Sequence, residues 1–150
     1  MSISIRDALL EDAPEIEGVF RSASLSNEND RDPPLRHPEW LLLSDSGIRQ
    51  GRMRVAVDEH GAVVGFATYL IVDGAAELED LFVDPPQMRK RIGEALVLDI
   101  SMWVHYLGFE TLEVTANPHA MPFYRHMGFE GSHIVETEGY AAFRMQRKTD

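Results

Sequence analysis

The chain has 150 residues, 44% of them hydrophobic, with 14 basic against 25 acidic side chains and a net charge of −11. That length and apolar content suit one domain, 1–150, whose core needs no staples, and the charge disfavours a polyanionic partner such as nucleic acid unless positive charge is gathered locally. With no cysteine there is no disulfide, thiolate metal site or cysteine nucleophile, which suits a reducing cytoplasm.

The opening residues MSISIRDALLEDA lack the basic start and apolar run of a secretory signal, and no window reaches the length of a membrane span, so a soluble cytoplasmic protein is expected. Ile3 and Ile5 alternate with polar neighbours as in a short strand. Asp12 and Pro14 then open a helix through Ile16, Val19 and Phe20. The polar stretch SASLSNENDRDPP, Ser22 to Pro34, reads as a loop, and HPEWLLLSDSGIRQG from His37 as a second, shorter helix. RMRVAV, the turn residues EHG and AVVGFATYLIV form a hairpin that leads into a fourth strand, AELEDLFV, Ala76 to Val83.

Asp84, Pro85 and Pro86 end that strand, and Arg89, Lys90 and Arg91 gather three cations at the start of the next helix. From Ile92 its apolar positions Ala95, Leu96, Ile100, Trp103, Val104 and Leu107 follow helical spacing up to a C-terminal stop at Gly108. TLEVTA is a strand. Asn117 and Pro118 start a last helix with inner face Ala120, Phe123, Tyr124 and Met127, closed by Gly128, and two strands around His133 to Glu136 and Ala141 to Met145 finish the chain. The order predicts an α/β domain with a largely antiparallel sheet and at least one parallel βαβ step, the crossover being the helix after Val83.

Two segments carry a resemblance. LEDLFVDPPQMRKRIGEAL is similar to the acetyl-CoA pyrophosphate motif of the GNAT N-acetyltransferase superfamily, [Q/R]xxGxG/A, and NPHAMPFYRHMGF resembles that superfamily's later helix with its Asn, small residue, Phe-Tyr pair and Gly-Phe ending. The element order agrees over nearly the whole chain. The resemblance implies the GNAT acyl-CoA N-acyltransferase fold, a mixed, mostly antiparallel sheet of about six or seven strands flanked by about four helices. The departure is in the loop. With Gly93 at the final small position, Met88 stands at the usual Gln or Arg, Arg89 at a common glycine position and Arg91 at the motif's first glycine. If position 91 requires a positive φ, arginine there costs on the order of 1 to 2 kcal/mol. A helix N-terminus nevertheless offers N–H groups and partial positive charge whatever its side chains are, and Arg89, Lys90 and Arg91 add charge-assisted donors.

The resemblance implies acetyl-CoA as cosubstrate and direct transfer of its acetyl group to a primary amine of a small-molecule or peptide acceptor. Leu81, Phe82 and Val83 would offer backbone N–H to the thioester carbonyl and pair with the pantetheine arm. Met88, Arg89, Lys90, Arg91, Ile92, Gly93 and Glu94 would seat the diphosphate. Asn117 and Phe123 would contact the cofactor, although Asn before Pro is also what a helix N-cap looks like. Tyr124 matches the tyrosine that protonates the departing thiolate, and plain packing would place it equally well. For the base, period-two alternation puts Glu77 and Glu79 on the face of Leu81 and Val83, with Asp80 opposite, and Glu79 is favoured over Glu77, with a water chain also open.

Asp99 falls within the helix's apolar stripe, where a carboxylate needs a partner, so a structural hydrogen bond is expected. No histidine pair has metal-ligand spacing: His119 and His126 share a face two turns apart, and no metal is expected. The alternative to an enzyme is a non-catalytic GNAT-like module, a coenzyme A sensor or protein partner with a degenerate loop. Nucleic-acid binding through Arg89 to Arg91 is disfavoured by the net charge and the lack of interleaved aromatics. No membrane partner is expected, and a homodimer stays open.

Overall fold

The computed structural model describes residues 2–26, 45–85, 91–137 and 140–150. The expected loop beyond Ser26, the 37–44 part of the expected second helix, and Met88, Arg89 and Lys90 lie outside the described residues. In chain order the elements are β1 (Ser4–Asp7), α1 (Ala13–Ser26), α2 (Ser46–Arg49), β2 (Met53–Val57), β3 (Val63–Val72), β4 (Ala75–Val83), α3 (Ile92–Tyr106), β5 (Thr111–Ala116), α4 (Met121–His126), β6 (Glu130–Thr137) and β7 (Tyr140–Lys148). The described strands form one seven-stranded sheet in the order β1-β2-β3-β4-β5-β7-β6. β1–β2, β2–β3, β5–β7 and β6–β7 pair antiparallel, and β4–β5 pairs parallel across the α3 crossover. The mixed, mostly antiparallel α/β architecture expected from the sequence is the one observed.

The chain divides into two compact units, residues 1–68 with 80–96 and residues 69–79 with 97–150. In the first, Ile16 and Val19 of α1 are buried with Met53, Val55 and Val57 of β2 and Val63 and Phe66 of β3. The first seven residues of β3 are buried without alternation, as in a strand covered on both faces, which is why its sequence is a continuous apolar run. Before α1 the chain makes a short 3-10 turn, Leu10–Asp12. Asp12 accepts Leu9 N–H at 2.8 Å and receives two hydrogen bonds from Arg6, at 2.8 and 3.0 Å. α1 continues to Ser26, further than its sequence suggested; Ser22 is exposed and Ala23 and Ser24 are half-buried along this last stretch.

In the second unit, Val97, Ile100, Ser101 and Val104 of α3 are buried at helical spacing. α3 ends as expected: Gly108 has φ +102, and Phe109 N–H reaches back to Val104 O at 2.9 Å. β5 alternates, with Leu112, Val114 and Ala116 buried and Thr111, Glu113 and Thr115 on the other face. β6 and β7 are longer than their apolar residues indicate. β7 lies between β5 and β6 and pairs with both, so backbone hydrogen bonding carries it through Arg144, Gln146 and Lys148. The last helix also differs from expectation. Pro118–Ala120 form a 3-10 turn and α4 starts afresh at Met121. A continuous α-helix from Pro118 would need an N–H from Pro122 to its carbonyl, and proline has none. The buried side chains of α4 are consequently Met121 and Tyr124.

Candidate active site

The sequence-predicted site residues fall in both units. In the first unit they are the end of β4 and the start of α3. Phe82 points to the core, where its ring meets Phe20 edge-on at 5.0 Å and Phe66 at 5.5 Å. Leu81 and Val83 therefore face the other way, with the Asp84 N–H bonded to Val64 O at 2.9 Å holding the strand's end. Asp80 accepts a hydrogen bond from the buried Thr68 hydroxyl at 2.8 Å, on the side opposite Glu79, as alternation requires.

Arg91 adopts φ +62, one of two non-glycine residues with positive φ among the described residues. The chain thus enters α3 through a left-handed residue that is an arginine. Its side chain is 88% exposed, with Nε 4.0 Å from Glu94 Oε2, a separation at which an exposed pair contributes little. The carbonyl of Arg91 accepts the Ala95 N–H at 3.1 Å. Amides earlier in a first helical turn have no intrahelical acceptor and carry the positive end of the macrodipole. Ile92 is buried, and Gly93 and Glu94 are half-buried. Gly65 brings these parts together: a Cβ there would lie 3.1 Å from Phe82 O, 3.2 Å from Ile92 Cγ2 and 3.2 Å from Leu96 Cδ1. A glycine at that point of β3 lets the end of β4 and the first turn of α3 close on one spot.

In the second unit, Asn117 Oδ1 accepts the Ala120 N–H at 2.9 Å, so this residue is an N-cap. Tyr124 is 8% exposed. Its ring is edge-on to Phe123 and Phe129, both with centroids at 5.2 Å, and its carbonyl accepts Phe129 N–H at 2.9 Å. Packing fixes the ring within the turn that Gly128 closes.

The two carboxylates separate in character. Glu79 is exposed. Glu77 is half-buried and accepts a 2.6 Å hydrogen bond from Arg144 Nη1, which also donates to Thr115 Oγ1 at 2.7 Å, while Arg144 Nη2 lies 3.3 Å from Glu113 Oε1. Burial by itself would lower the pKa of Arg144; the hydrogen bond and charge of Glu77, with Glu113, outweigh it and raise the pKa further. Sequence inspection singled out neither Arg144 nor Glu113. The available signal was the alternation of TLEVTA, which aims Glu113 and Thr115 away from the core; the cation that answers them comes from a strand 31 residues later.

Asp99 is half-buried on α3 and has an interaction partner. Among the described residues no three His, Cys, Asp or Glu side chains are grouped to hold a metal ion, and no helix is long and apolar enough to cross a membrane.

The Acetyltransferase (GNAT) family model matches residues 10–129, and the chain belongs to that family. No curated protein matches it by sequence. Among solved structures it is similar to the PaiA N-acetyltransferase of Thermoplasma acidophilum in complex with coenzyme A, at 23% identity and TM-score 0.75 over 99% of each chain. It is also similar to a phosphinothricin acetyltransferase from Sinorhizobium meliloti in complex with AcCoA, at 24% identity and TM-score 0.73 over 99% of this chain and 89% of that one. A GCN5-related N-acetyltransferase from Kribbella flavida shares 27% identity and TM-score 0.70 over 97% of each chain.

Proposed function

We propose that the chain is a single-domain, cytoplasmic, acetyl-CoA-dependent N-acetyltransferase acting by direct transfer to a primary amine. The observation that carries this reading is the left-handed Arg91 at the head of α3, φ +62. A residue held in that region costs on the order of 1 to 2 kcal/mol, and the retained geometry keeps the turn that presents backbone N–H groups to a diphosphate. Met88, Arg89 and Lys90 belong to the same proposed seat with Arg91, Ile92, Gly93 and Glu94. The coenzyme A complexes of related folds support the same cosubstrate.

A bound acetyl-CoA would supply an activated thioester; the remaining chemistry falls to this chain. The backbone of Leu81, Phe82 and Val83, held from below by the Phe82 ring between Phe20 and Phe66, would donate N–H to the carbonyl oxygen as negative charge develops there. Glu79 is the proposed acceptor of the amine proton. Glu77, whose Oε1 receives the Arg144 guanidinium at 2.6 Å, is the second candidate. Tyr124 would give its phenolic proton to the departing thiolate, since a phenol remains protonated at neutral pH. Asn117 spends Oδ1 on its cap, which leaves its amide nitrogen to donate to the pantetheine arm, with Phe123 packing beside it.

A thermal-shift titration tests the reading. Stabilisation should grow with acetyl-CoA concentration, reaching about 2.7 kcal/mol at a hundredfold excess over Kd. A folded sample that shows no shift at millimolar ligand would transfer the chain to the non-catalytic alternative. A screen over small cationic amines and peptide N-termini then defines the acceptor.

A further inference from the structure

We infer that Arg144 is a positioning residue: it compensates two carboxylates that would otherwise repel across the β4–β5 ladder, and by engaging Glu77 it withdraws that carboxylate from proton transfer. The second clause rests on the acetyl-transfer reading; the first does not.

The parallel register joins Ala76 to Leu112, Glu77 to Glu113 and Leu78 to Val114. The middle pair therefore sets two glutamates directly opposite each other, and like charges in that arrangement destabilise a sheet. Both are only about a quarter exposed, 25% and 28% at the side chain, so water screens them incompletely. Arg144 on β7 stands opposite Thr115 and reaches over β5 to β4, binding Thr115, Glu113 and Glu77 with one guanidinium. It ties three strands together at this ladder. A planar fork can serve three acceptors at once, whereas an ammonium is a point charge. The same face also carries Glu79, two residues along β4, Thr111 of β5 with Lys148 opposite it, Gln146 opposite Glu113 with Glu130 of β6 beyond it, and His133 of β6 opposite Arg144.

The test is Arg144→Met, with melting temperature followed from pH 8 to pH 5 in a His133→Gln background, which removes the imidazole paired opposite Arg144. Without the guanidinium, two facing carboxylates cannot both ionise cheaply, so one of them keeps a proton at higher pH than usual. A carboxyl whose folded-state pKa is raised loses stability as pH rises through that value. The deficit relative to the parent should thus be largest at pH 8, about 6 °C, and shrink to about half by pH 5. Adding Glu113→Gln should recover at least half the deficit at pH 8. Should Arg144→Met fail to fold, the combined Arg144→Met/Glu113→Gln chain is still expected to fold, and failure of both overturns the inference. A deficit that is the same at every pH and indifferent to Glu113→Gln also overturns it, because mere packing would behave so. These outcomes need no acetyl-CoA, so they stand apart from the fate of the acetyl-transfer reading. If acetyl transfer is present, the ratio of Arg144→Met to parent kcat should rise several-fold between pH 8 and pH 6; a constant ratio removes the claim about Glu77 alone.

Discussion

The start of α3 and the polar face of β4, β5 and β7 solve different problems. At the start of α3 what matters is backbone shape: Arg91 holds φ +62 with its side chain almost wholly in solvent, while Gly65 leaves room beneath Phe82 and Ile92. On the strand face what matters is side-chain chemistry, with Arg144, Glu77, Glu113 and Thr115 joined at 2.6 to 3.3 Å. The first kind of region depends on backbone dihedrals, so an arginine can stand there at the cost of a left-handed φ. The second kind does not, because each carboxylate and each donor is matched to a particular partner.

Substitutions that keep the backbone and alter one functional atom should separate the two regions most sharply. Tyr124→Phe removes only a hydroxyl from a ring already fixed by Phe123 and Phe129. Turnover should fall about a hundredfold, within the usual range for a general acid, with acetyl-CoA affinity nearly unchanged. Single-turnover rates and a binding titration check this; an unaltered rate would return Tyr124 to packing alone.

Asp12 provides the contrast within the first unit, where a matched side chain serves stability and not chemistry. Its carboxyl is held below the ordinary range chiefly by the hydrogen bonds from Arg6, helped by Leu9 N–H and opposed by burial. A depressed folded-state pKa contributes stability that is fully present above the unfolded value of about 3.9 and is lost as pH falls through the folded value. Asp12→Ala should therefore cost about 2 kcal/mol near pH 7, discounted for the partly exposed Arg6, or about 5 °C in melting temperature. The gap from the parent should close in acid below the usual carboxylate range. A gap that persists there would mean the loss is one of packing.

Glu79→Gln should lower turnover about tenfold at pH 6 and much less at pH 9, where the amine has already lost its proton and the base is dispensable. A loss independent of pH would pass the role to Glu77 or to water, and would break the division of labour attributed to Arg144.

Much of this was legible in the sequence for reasons that differ between the regions. Local rules found the β2–β3 hairpin, the α3 crossover and its Gly108 stop, and the Asn117 cap, since each depends on residues within a turn of one another. The conditional cost at position 91 could be stated from the motif's glycine, but only coordinates give the sign of φ. Pro122 was a local signal against a helix running on from Pro118, and the apolar spacing of Ala120, Phe123, Tyr124 and Met127 hid it. Gly65 and Arg144 were beyond reach for another reason. Their meaning lies in contacts with Ile92 and Leu96, or with Glu77 and Glu113, at separations of 67 residues in one case, and no window of sequence contains both sides.

The smallest expected effect is the most direct check on the backbone half of the comparison. Arg91→Gly should relieve the left-handed penalty of on the order of 1 to 2 kcal/mol, while the freer unfolded chain takes back about 0.5 to 1 kcal/mol. The net is a gain of about 0.5 kcal/mol, near 1 to 2 °C, and the sign is more informative than the size. Acetyl-CoA affinity should stay within about threefold of the parent if the backbone N–H groups form the seat and the exposed guanidinium adds little. A tenfold weakening without loss of stability would instead make the Arg91 side chain a phosphate ligand, and the turn would then depend on its arginine as the strand face depends on Arg144.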